Sequence, residues 1–323
     1  MPSRDPKISV ALCTHNGATY LGEQLATLAG QSRLPDELII CDDRSKDETL
    51  AIVLSFARQV PFFVRIVVNE KMLGTTKNFE QAIALCSGDL IALCDQDDVW
   101  RSDKLECLIG AFANSSDVGI VFSDADIVDA QLRPLGYSLW NYAGFNRPRR
   151  NTADLQELLK HNPALGMTIA FRATFRNLVL PIPENVPHDI WIGLLVAALT
   201  RKVALVDKLL VKYRQHPEQQ TGDLSQRPSF LRKGWRQSGD GNSLLENLVL
   251  YREVLSRLET LRTSNVPTIA KALVKAKVDH LTARVTMPRR KLRRLPVIAR
   301  EFFGLRYYRY SNGAFSAAKD AFL

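Results

Sequence analysis

Residues 90–100 read LIALCDQDDVW, five apolar residues followed by a cluster of acids. An apolar run of this length is typical of a strand that is buried on both faces of a sheet. Asp95, Asp97 and Asp98 are too polar to continue such a strand. The stretch therefore predicts a buried strand that ends at an acidic site.

Short apolar runs alternate with amphipathic segments on both sides of this stretch. The predicted strands are residues 8–13, 37–41, 62–68, 90–94 and 119–123, and the predicted helices are residues 20–28, 47–57, 76–86 and 103–113. This alternation predicts an α/β fold with a mostly parallel central sheet and helices on both faces. Ligands bind beyond the carboxyl ends of the strands in such sheets. Residues 126–150 contain prolines and glycines without a clear period, and they predict a long surface loop.

Polar residues follow three of the predicted strands. Thr14 and Asn16 follow the first strand, Asp43 follows the second, and the acids of residues 95–98 follow the fourth. Three carboxylates within four residues repel one another unless a cation neutralises them, and Mg²⁺ or Mn²⁺ takes carboxylates together with phosphate oxygens. The acids predict a divalent-metal site for a phosphate-bearing substrate. Capping of the following helix is the alternative.

The loops after the second and third strands offer contacts for a nucleotide. Asp43 can accept hydrogen bonds from a base or a ribose, whereas Ser45 and Asp47 suit helix capping. Residues 73–78, which end at Asn78, open a helix whose backbone N–H groups can face a diphosphate. No complete GxGxxG or Walker sequence occurs, which disfavours classical dinucleotide and P-loop sites.

Two later segments carry candidate catalytic groups. Asp189 lies at the start of an apolar helix, where it either caps the helix or takes a proton as a general base. Arg214 and His216 follow a predicted strand. An arginine there can neutralise a phosphate, and a neutral imidazole can bind a metal.

The charge of the chain is unevenly distributed. Residues 1–224 carry 23 basic and 27 acidic side chains, whereas residues 225–323 carry 20 and 7, so the net charges are −4 and +13. Such a basic part indicates an anionic partner, either nucleic acid or lipid headgroups. The longest apolar run, residues 190–199, is about half the length of a membrane-spanning helix. The first ten residues lack the apolar block of a signal peptide, which predicts a cytoplasmic protein.

The motifs, in this order, resemble the family 2 nucleotide-sugar glycosyltransferases of the GT-A fold, and within them the bacterial rhamnosyltransferases. The resemblance spans residues 7–222. It is carried by VALCTHNG (10–17), DDRSKD (42–47), LG and Asn78 (73–78), GD (88–89), DQDDVW (95–100), HD and Trp191 (188–191) and YRQH (213–216).

The resemblance implies a role for each candidate residue. Thr14, Asn16, Asp43, Asn78 and Asp95 look like contacts to the nucleotide sugar, with Asp95 on the ribose. In the same comparison, Asp97 looks like the metal ligand and Asp189 like the base of an inverting enzyme. Arg214 and His216 would assist the departing phosphate, and His216 would do so as a second metal ligand. Arg44 stands where many relatives have glycine, and His188 where many have glutamate.

The resemblance also implies an activity and an organisation. We expect a metal-dependent (Mg²⁺ or Mn²⁺) inverting transferase that moves a sugar, with L-rhamnose as the first candidate, from a dTDP- or UDP-sugar to a saccharide or lipid-linked saccharide acceptor in bacterial surface polysaccharide or lipopolysaccharide synthesis. The QxxRW signature of processive relatives is absent, which predicts transfer of one or a few sugars.

Residues 1–224 are predicted to form the GT-A domain, with the nucleotide-sugar part at 1–125 and the acceptor part at 126–224. Residues 225–323 are predicted to form a basic helical region for membrane association or dimerisation. The interleaved basic and aromatic residues of 287–310 favour an anionic membrane surface on the cytoplasmic side of the inner membrane.

Two other functions remain open from the sequence. A sugar-nucleotide pyrophosphorylase would share the acids at the strand ends, although its usual glycine-rich basic loop after the first strand is missing. A nucleic-acid-binding protein would use the basic helices near the carboxyl terminus, although no known DNA or RNA motif is present.

Overall fold

A computed structural model describes residues 5–113, 115, 117–145, 151–162, 165–200, 202–219, 241–261 and 266–322. The strands are β1 (Ile8–Thr14), β2 (Glu37–Asp42), β3 (Phe63–Val68), β4 (Leu90–Cys94), β5 (Val99–Trp100), β6 (Val118–Val128), β7 (Pro134–Ser138), β8 (Thr152–Ala153), β9 (Ile169–Arg172) and β10 (Lys202–Arg214). The helices are α1 (Ala18–Ala29), α2 (Thr49–Ala57), α3 (Thr75–Leu85), α4 (Lys104–Ala113), α5 (Leu139–Ala143), α6 (Leu155–Lys160), α7 (Arg176–Val179), α8 (His188–Leu199), α9 (Gly241–Thr260), α10 (Thr268–Val285), α11 (Lys291–Phe303), α12 (Arg306–Tyr310) and α13 (Ala314–Phe322).

The strands form one sheet in the order β3-β2-β1-β4-β9-β6-β10-β5, with β7 paired to β6 and β8 paired to β10. The long ladders β3-β2, β2-β1, β1-β4 and β6-β10 are parallel, and the short ladders are antiparallel. The predicted α/β fold with a mostly parallel sheet and flanking helices is confirmed.

The parallel register brings the predicted polar ends together. Thr14 pairs with Asp42 across β1 and β2, and Leu12 pairs with Cys94 across β1 and β4. Every residue of β1, β2 and β4 is buried, as expected for strands covered by helices on both faces. The loops that follow these three strands therefore leave the core at one edge of the sheet.

The prediction of a long loop over residues 126–150 is wrong for its first part. β6 continues to Val128, β7 returns beside it, and α5 follows with Ser138 accepting a hydrogen bond from the Asn141 N–H. A polar residue of β6, Asp124, is buried there and accepts a hydrogen bond from the Trp140 N–H at 3.0 Å. Residues 146–150, at the end of the predicted loop, lie outside the described residues.

The first two described helices of the predicted helical region 225–323 are α9 and α10. They pack on each other and on α8, and Arg257 of α9 donates hydrogen bonds to the carbonyls of Leu178 and Leu180. The proposed domain boundary after residue 224 lies outside the described residues, so the division into two domains stays a prediction. None of the helices in the described ranges is both long and apolar enough to cross a bilayer.

Gly88 provides a test of how tightly β4 enters the sheet. A Cβ on Gly88 would lie 2.9 Å from the Ser9 nitrogen and 3.0 Å from the Lys7 carbonyl oxygen, both on the backbone beside β1. We expect Gly88→Ala to lower the free energy of unfolding by about 2 kcal/mol, because overpacking forces the backbone to shift.

Gly22→Ala is the matched control. Gly22 lies in α1, and no atom comes within 4 Å of the position that a Cβ would take there, so alanine should raise the free energy of unfolding by up to about 1 kcal/mol. Urea titrations followed by circular dichroism measure both variants. Two changes of the same sign would contradict the close approach at Gly88.

Candidate active site

A cavity of about 510 Å³ opens where β1, β2 and β4 end. It extends from Thr14 and Asp43 to the start of α8, and so joins the predicted nucleotide end to the predicted base. Its lining residues, among those the structure describes, include five acids and neither lysine nor arginine. The acids are Asp43, Asp95, Asp97, Asp189 and Glu218.

The loop after β1 is fixed to the loop after β4 by Gln96. The Gln96 side chain accepts the His15 N–H at 2.8 Å and donates to the His15 carbonyl at 3.0 Å. A Cβ on Gly17 would lie 2.2 Å from Gln96 Oε1, so any larger residue there would displace the Gln96 side chain from this pair. Thr14 lines the cavity and donates its hydroxyl to Asp42 at 2.8 Å.

Asn16 lies on the outer side of the same loop. It has a positive φ of 47°, it is exposed, and its Oδ1 accepts the Lys46 N–H at 2.8 Å. The described cavity lining does not include it. Its predicted contact with the nucleotide sugar stays a prediction, and in this structure Asn16 joins the loops after β1 and β2.

Asp43 and Asn78 line the cavity but also hold its wall. The Asp43 carboxylate accepts hydrogen bonds from Asn69 Nδ2, the Leu73 N–H and the Gly74 N–H at 2.7–2.8 Å. Asn78 donates to the Cys41 carbonyl at 2.8 Å and accepts from Asn69. Both side chains are buried, so much of their hydrogen-bonding capacity shapes the site.

Arg44 follows this acid with a left-handed φ of 63°. That conformation favours glycine. The Arg44 guanidinium donates to the Glu70 carbonyl at 2.9 Å. The arginine therefore fixes this strained turn to the loop after β3.

The acids after β4 are crowded. Burial, followed by the nearby carboxylates of Asp97 and Asp189, raises the pKa of Asp95. Burial and the charges of Asp97 and Asp95 likewise raise the pKa of Asp98, whose Oδ2 is buried without a hydrogen-bond partner among the described residues. A cation bound on the cavity side would relieve this repulsion.

The predicted metal ligands Asp97 and His216 lie side by side. Asp97 Oδ2 is 2.9 Å from His216 Nε2, and the imidazole ring packs at 4.7 Å against Tyr20. The described residues contain no group of three His, Cys, Asp or Glu side chains that could hold a metal by themselves. Mg²⁺ and Mn²⁺ suit such a site, because they are held by one or two carboxylates plus phosphate and water oxygens.

Arg214 lies behind the acidic loop. Its guanidinium donates to the carbonyls of Asp97 and Ala130 at 2.8 and 2.7 Å and also bonds the Glu23 carboxylate. The side chain is buried and is not among the described residues of the cavity lining. Its predicted contact with phosphate stays a prediction, while the geometry makes it a support for residues 97 and 98.

Asp189 and His188 enter the cavity from the first turn of α8. Asp189 accepts the Ile190 N–H at 2.7 Å and lies close enough to Asp95 to affect its titration. The His188 ring stacks on Phe79 with 4.1 Å between centroids. His188 lines the cavity, and burial lowers the pKa of its imidazole.

Lys104 is a component of the site that sequence patterning did not reveal. It is fully buried beneath the acidic loop, donates to the Met167 carbonyl, and lies 3.3 Å over the Trp100 ring. The Met167 N–H in turn bonds Asp95. The signal available in the sequence is one lysine six residues after Asp98, at the end of DQDDVWRSDK.

Lys104 makes a pH-dependent contribution to stability. Burial lowers its pKa to about 7, although Cys94, Asp98 and Asp95 oppose the shift. The unfolded chain keeps this proton up to about pH 10.4, so it binds more protons than the folded protein between pH 7 and 10. The free energy of unfolding of the native protein should therefore increase with pH relative to Lys104→Met, by at most about 1.4 kcal/mol per pH unit.

Urea titrations at pH 7, 8 and 9 measure this difference. Lys160→Met, at an exposed lysine, is the matched control, and its difference from the native protein should not vary with pH. A constant difference for Lys104→Met would contradict the burial of a titrating lysine.

Comparison with known families gives one match that covers more than half of the chain. A model described as Glycosyl transferase family 2 matches residues 9–175. An uncharacterized glycosyltransferase of Nostoc sp., alr2836, is 26% identical over 220 residues, 65% of each chain. The first curated relatives are thus matched over 65% of their own length.

Two relatives with informative names match shorter segments. The dTDP-rhamnosyl transferase RfbG of Shigella flexneri is 34% identical over 111 residues, 32% of this chain and 38% of that protein. The Escherichia coli protein WfgD, named a UDP-Glc:alpha-D-GlcNAc-diphosphoundecaprenol beta-1,3-glucosyltransferase, is 26% identical over 125 residues, 39% of this chain and 48% of that protein.

Solved structures share the fold. TarS 1-349 of S. aureus in complex with UDP-GlcNAc superposes with a TM-score of 0.59 at 15% identity, covering 98% of this chain and 89% of that chain. PcManGT, a mannosyltransferase of Pyrobaculum calidifontis in complex with GDP-Man and Mn²⁺, gives a TM-score of 0.52 at 16% identity, covering 99% of this chain and 88% of that chain.

Proposed function

This chain belongs to glycosyl transferase family 2, as the order of its motifs predicted, and from that premise we propose that it transfers a sugar from a nucleoside-diphosphate sugar to a saccharide acceptor. The observation that supports this most directly is the single cavity joining the strand-end acids to Asp189. Membership in this family argues against the pyrophosphorylase alternative.

The composition of the cavity supports a metal-dependent donor site. A diphosphate is an anion, yet the described lining has five acids and no lysine or arginine. Unless a cation is present, the carboxylates would repel the donor. We therefore propose that Asp97, with His216 beside it, holds Mg²⁺ or Mn²⁺, which would supply positive charge to the departing diphosphate.

The remaining predicted contacts follow the edge of the sheet. We propose that Thr14, Asn16, Asp43 and Asn78 bind the nucleoside end of the donor, directly or through the loops that they hold, and that Asp95 binds the ribose. Arg214 acts from behind the acidic loop, by fixing the backbone that carries Asp97.

The position of Asp189 suits a general base. A carboxylate at the far end of the same cavity can take the proton of an acceptor hydroxyl while that oxygen attacks the anomeric carbon. The bond from this carbon to the diphosphate breaks on the opposite face, so the configuration inverts. We also propose that the enzyme transfers one or a few sugars and does not extend a polymer processively.

Relatives and neighbours suggest donors to test first. RfbG is named a dTDP-rhamnosyl transferase, TarS is solved with UDP-GlcNAc, and PcManGT with GDP-Man and Mn²⁺. We propose dTDP-L-rhamnose as the donor and a lipid-linked saccharide at the cytoplasmic face of the membrane as the acceptor. WfgD, whose name includes a diphosphoundecaprenol acceptor, supports that acceptor class.

A donor screen tests the activity. Release of nucleoside diphosphate from dTDP-, UDP- and GDP-sugars should require Mn²⁺ or Mg²⁺ and stop in EDTA, because the acid-lined cavity needs a cation to hold a diphosphate. Undiminished release in EDTA would contradict the metal-dependent proposal.

Two substitutions separate binding from chemistry. Asp97→Asn should weaken metal-dependent donor binding, measured by calorimetry. Asp189→Asn should retain donor binding while kcat falls about 100- to 10,000-fold, because the proton acceptor is lost. Asp117→Asn, at an exposed acid outside the described cavity lining, is the control. Equal turnover in all three variants would refute the roles assigned to Asp97 and Asp189. If NMR shows that the product keeps the anomeric configuration of the donor, the inverting mechanism is refuted.

A further inference from the structure

Helix α11 is oriented with its apolar face outward. Leu292, Leu295, Ala299 and Phe303 recur every three or four residues and so share one face of the helix. Leu292 is 81% exposed and Phe303 is 82% exposed. An amphipathic helix on a soluble protein normally presents such a face to the core.

The opposite face of α11 is polar and points into the protein. Glu301 is fully buried and its Oε2 lies 2.8 Å from Nδ1 of buried His280 in α10. Arg294 donates to the carbonyls of Pro288 and Asp320 at 2.7 and 3.1 Å. These contacts determine the rotation of α11, because turning the apolar face inward would break the buried Glu301–His280 pair.

The charges around the apolar face are almost all basic. Residues 287–323 contain nine lysines and arginines and two acids. Both acids are engaged internally, Glu301 with His280 and Asp320 with Arg284 at 2.7 Å. The exposed charged side chains of the described residues 287–322 are all basic, namely Arg289, Arg290, Lys291, Arg293, Arg300 and Arg309.

Arg293 and Arg300 are seven residues apart and therefore flank the apolar face on one side. We name Leu292, Leu295, Ala299, Phe303, Arg293 and Arg300 the docking face. We propose that the docking face lies in the headgroup region of an anionic lipid bilayer, with its leucines and phenylalanine among the acyl chains and its arginines on lipid phosphates.

Other occupants fit the docking face less well. Nucleic acid would pair with the arginines but would leave Leu292 and Phe303 in contact with a polar backbone. A second copy of the chain would cover the apolar face but would bring two sets of exposed arginines together. An anionic bilayer satisfies both features of the surface, since it offers negative headgroups above an apolar interior.

The proposal rests on the proposed function only for its purpose, which is to hold the cavity near a lipid-linked acceptor. Binding to lipid can be measured without donor, metal or acceptor. Failure of the docking face and failure of the transferase reaction are therefore distinguishable.

Cosedimentation of the full chain with vesicles tests the proposal. We expect binding to phosphatidylglycerol-containing vesicles and little binding to pure phosphatidylcholine. Leu292→Glu combined with Phe303→Glu should weaken partitioning at least about tenfold, because apolar burial is lost. Arg293→Gln combined with Arg300→Gln should weaken it about fivefold for each arginine and reduce its dependence on salt.

Matched controls lie elsewhere on the chain. Phe63→Glu changes an aromatic residue that is 61% exposed on β3, and Arg58→Gln with Arg252→Gln removes two exposed arginines, one just after α2 and one in α9. These variants should bind vesicles like the native protein. Urea titration establishes that each variant is folded.

Four results would overturn the proposal. The first is no binding to anionic vesicles, and the second is equal vesicle binding by the native protein and the docking-face variants. The third is binding to oligonucleotides, instead of vesicles, that the same substitutions abolish. The fourth is a dimer in sedimentation equilibrium that Leu292→Glu with Phe303→Glu dissociates, in a protein that binds no vesicles. Nucleoside-diphosphate release by the same variants toward a soluble acceptor reports separately on the active site.

Discussion

Repulsion between carboxylates at the end of β4 is the constraint on which the site depends. Three acids occur within four residues, and Asp95 and Asp98 both titrate at raised pKa because they are buried among like charges. The nearby cationic groups of Lys104 and Arg214 approach from the protein side. The described cavity side has no lysine or arginine. Because the protein interior compensates these negative charges only partly, a cation can bind to them on the cavity side.

The sequence predicted the parts of the fold that depend on local patterning. The continuous apolar runs of β1, β2 and β4 identify strands buried on both faces, and parallel pairing then brings the residues after them to one edge. Asp97 and His216, which the sequence predicts as metal ligands, lie 2.9 Å apart, and their role stays a prediction. The loop predicted over residues 126–150 was wrong for residues 126–128, which continue β6, and for residues 134–143, which form β7 and α5. Trp140 of α5 donates its backbone N–H to buried Asp124, and polarity alone cannot distinguish a satisfied buried acid from a solvated one.

The sequence alone does not show whether a polar side chain contacts a ligand or forms hydrogen bonds within the protein. Asp43 and Arg214 were predicted as ligand contacts, yet most of their hydrogen-bonding capacity goes to the protein. Lys104 is recognised as part of the site only from its burial under the acidic loop. The sequence predicts a basic helical region that includes α11, but the outward rotation of the apolar face of α11 follows from the distant pairing of Glu301 with His280.

The double hydrogen bond between Gln96 and the His15 backbone has a consequence for how a donor is received. Together with the three bonds to Asp43 and the bond from the Lys46 N–H to Asn16, it holds the loops after β1, β2, β3 and β4 as one assembly. The conformational entropy of these loops is lost when the protein folds, so little of it remains to be lost when a nucleotide arrives. A few weak contacts can then give sufficient affinity for the proposed donor. A substitution at Gly17 would lower this affinity by loosening the loops that are already ordered.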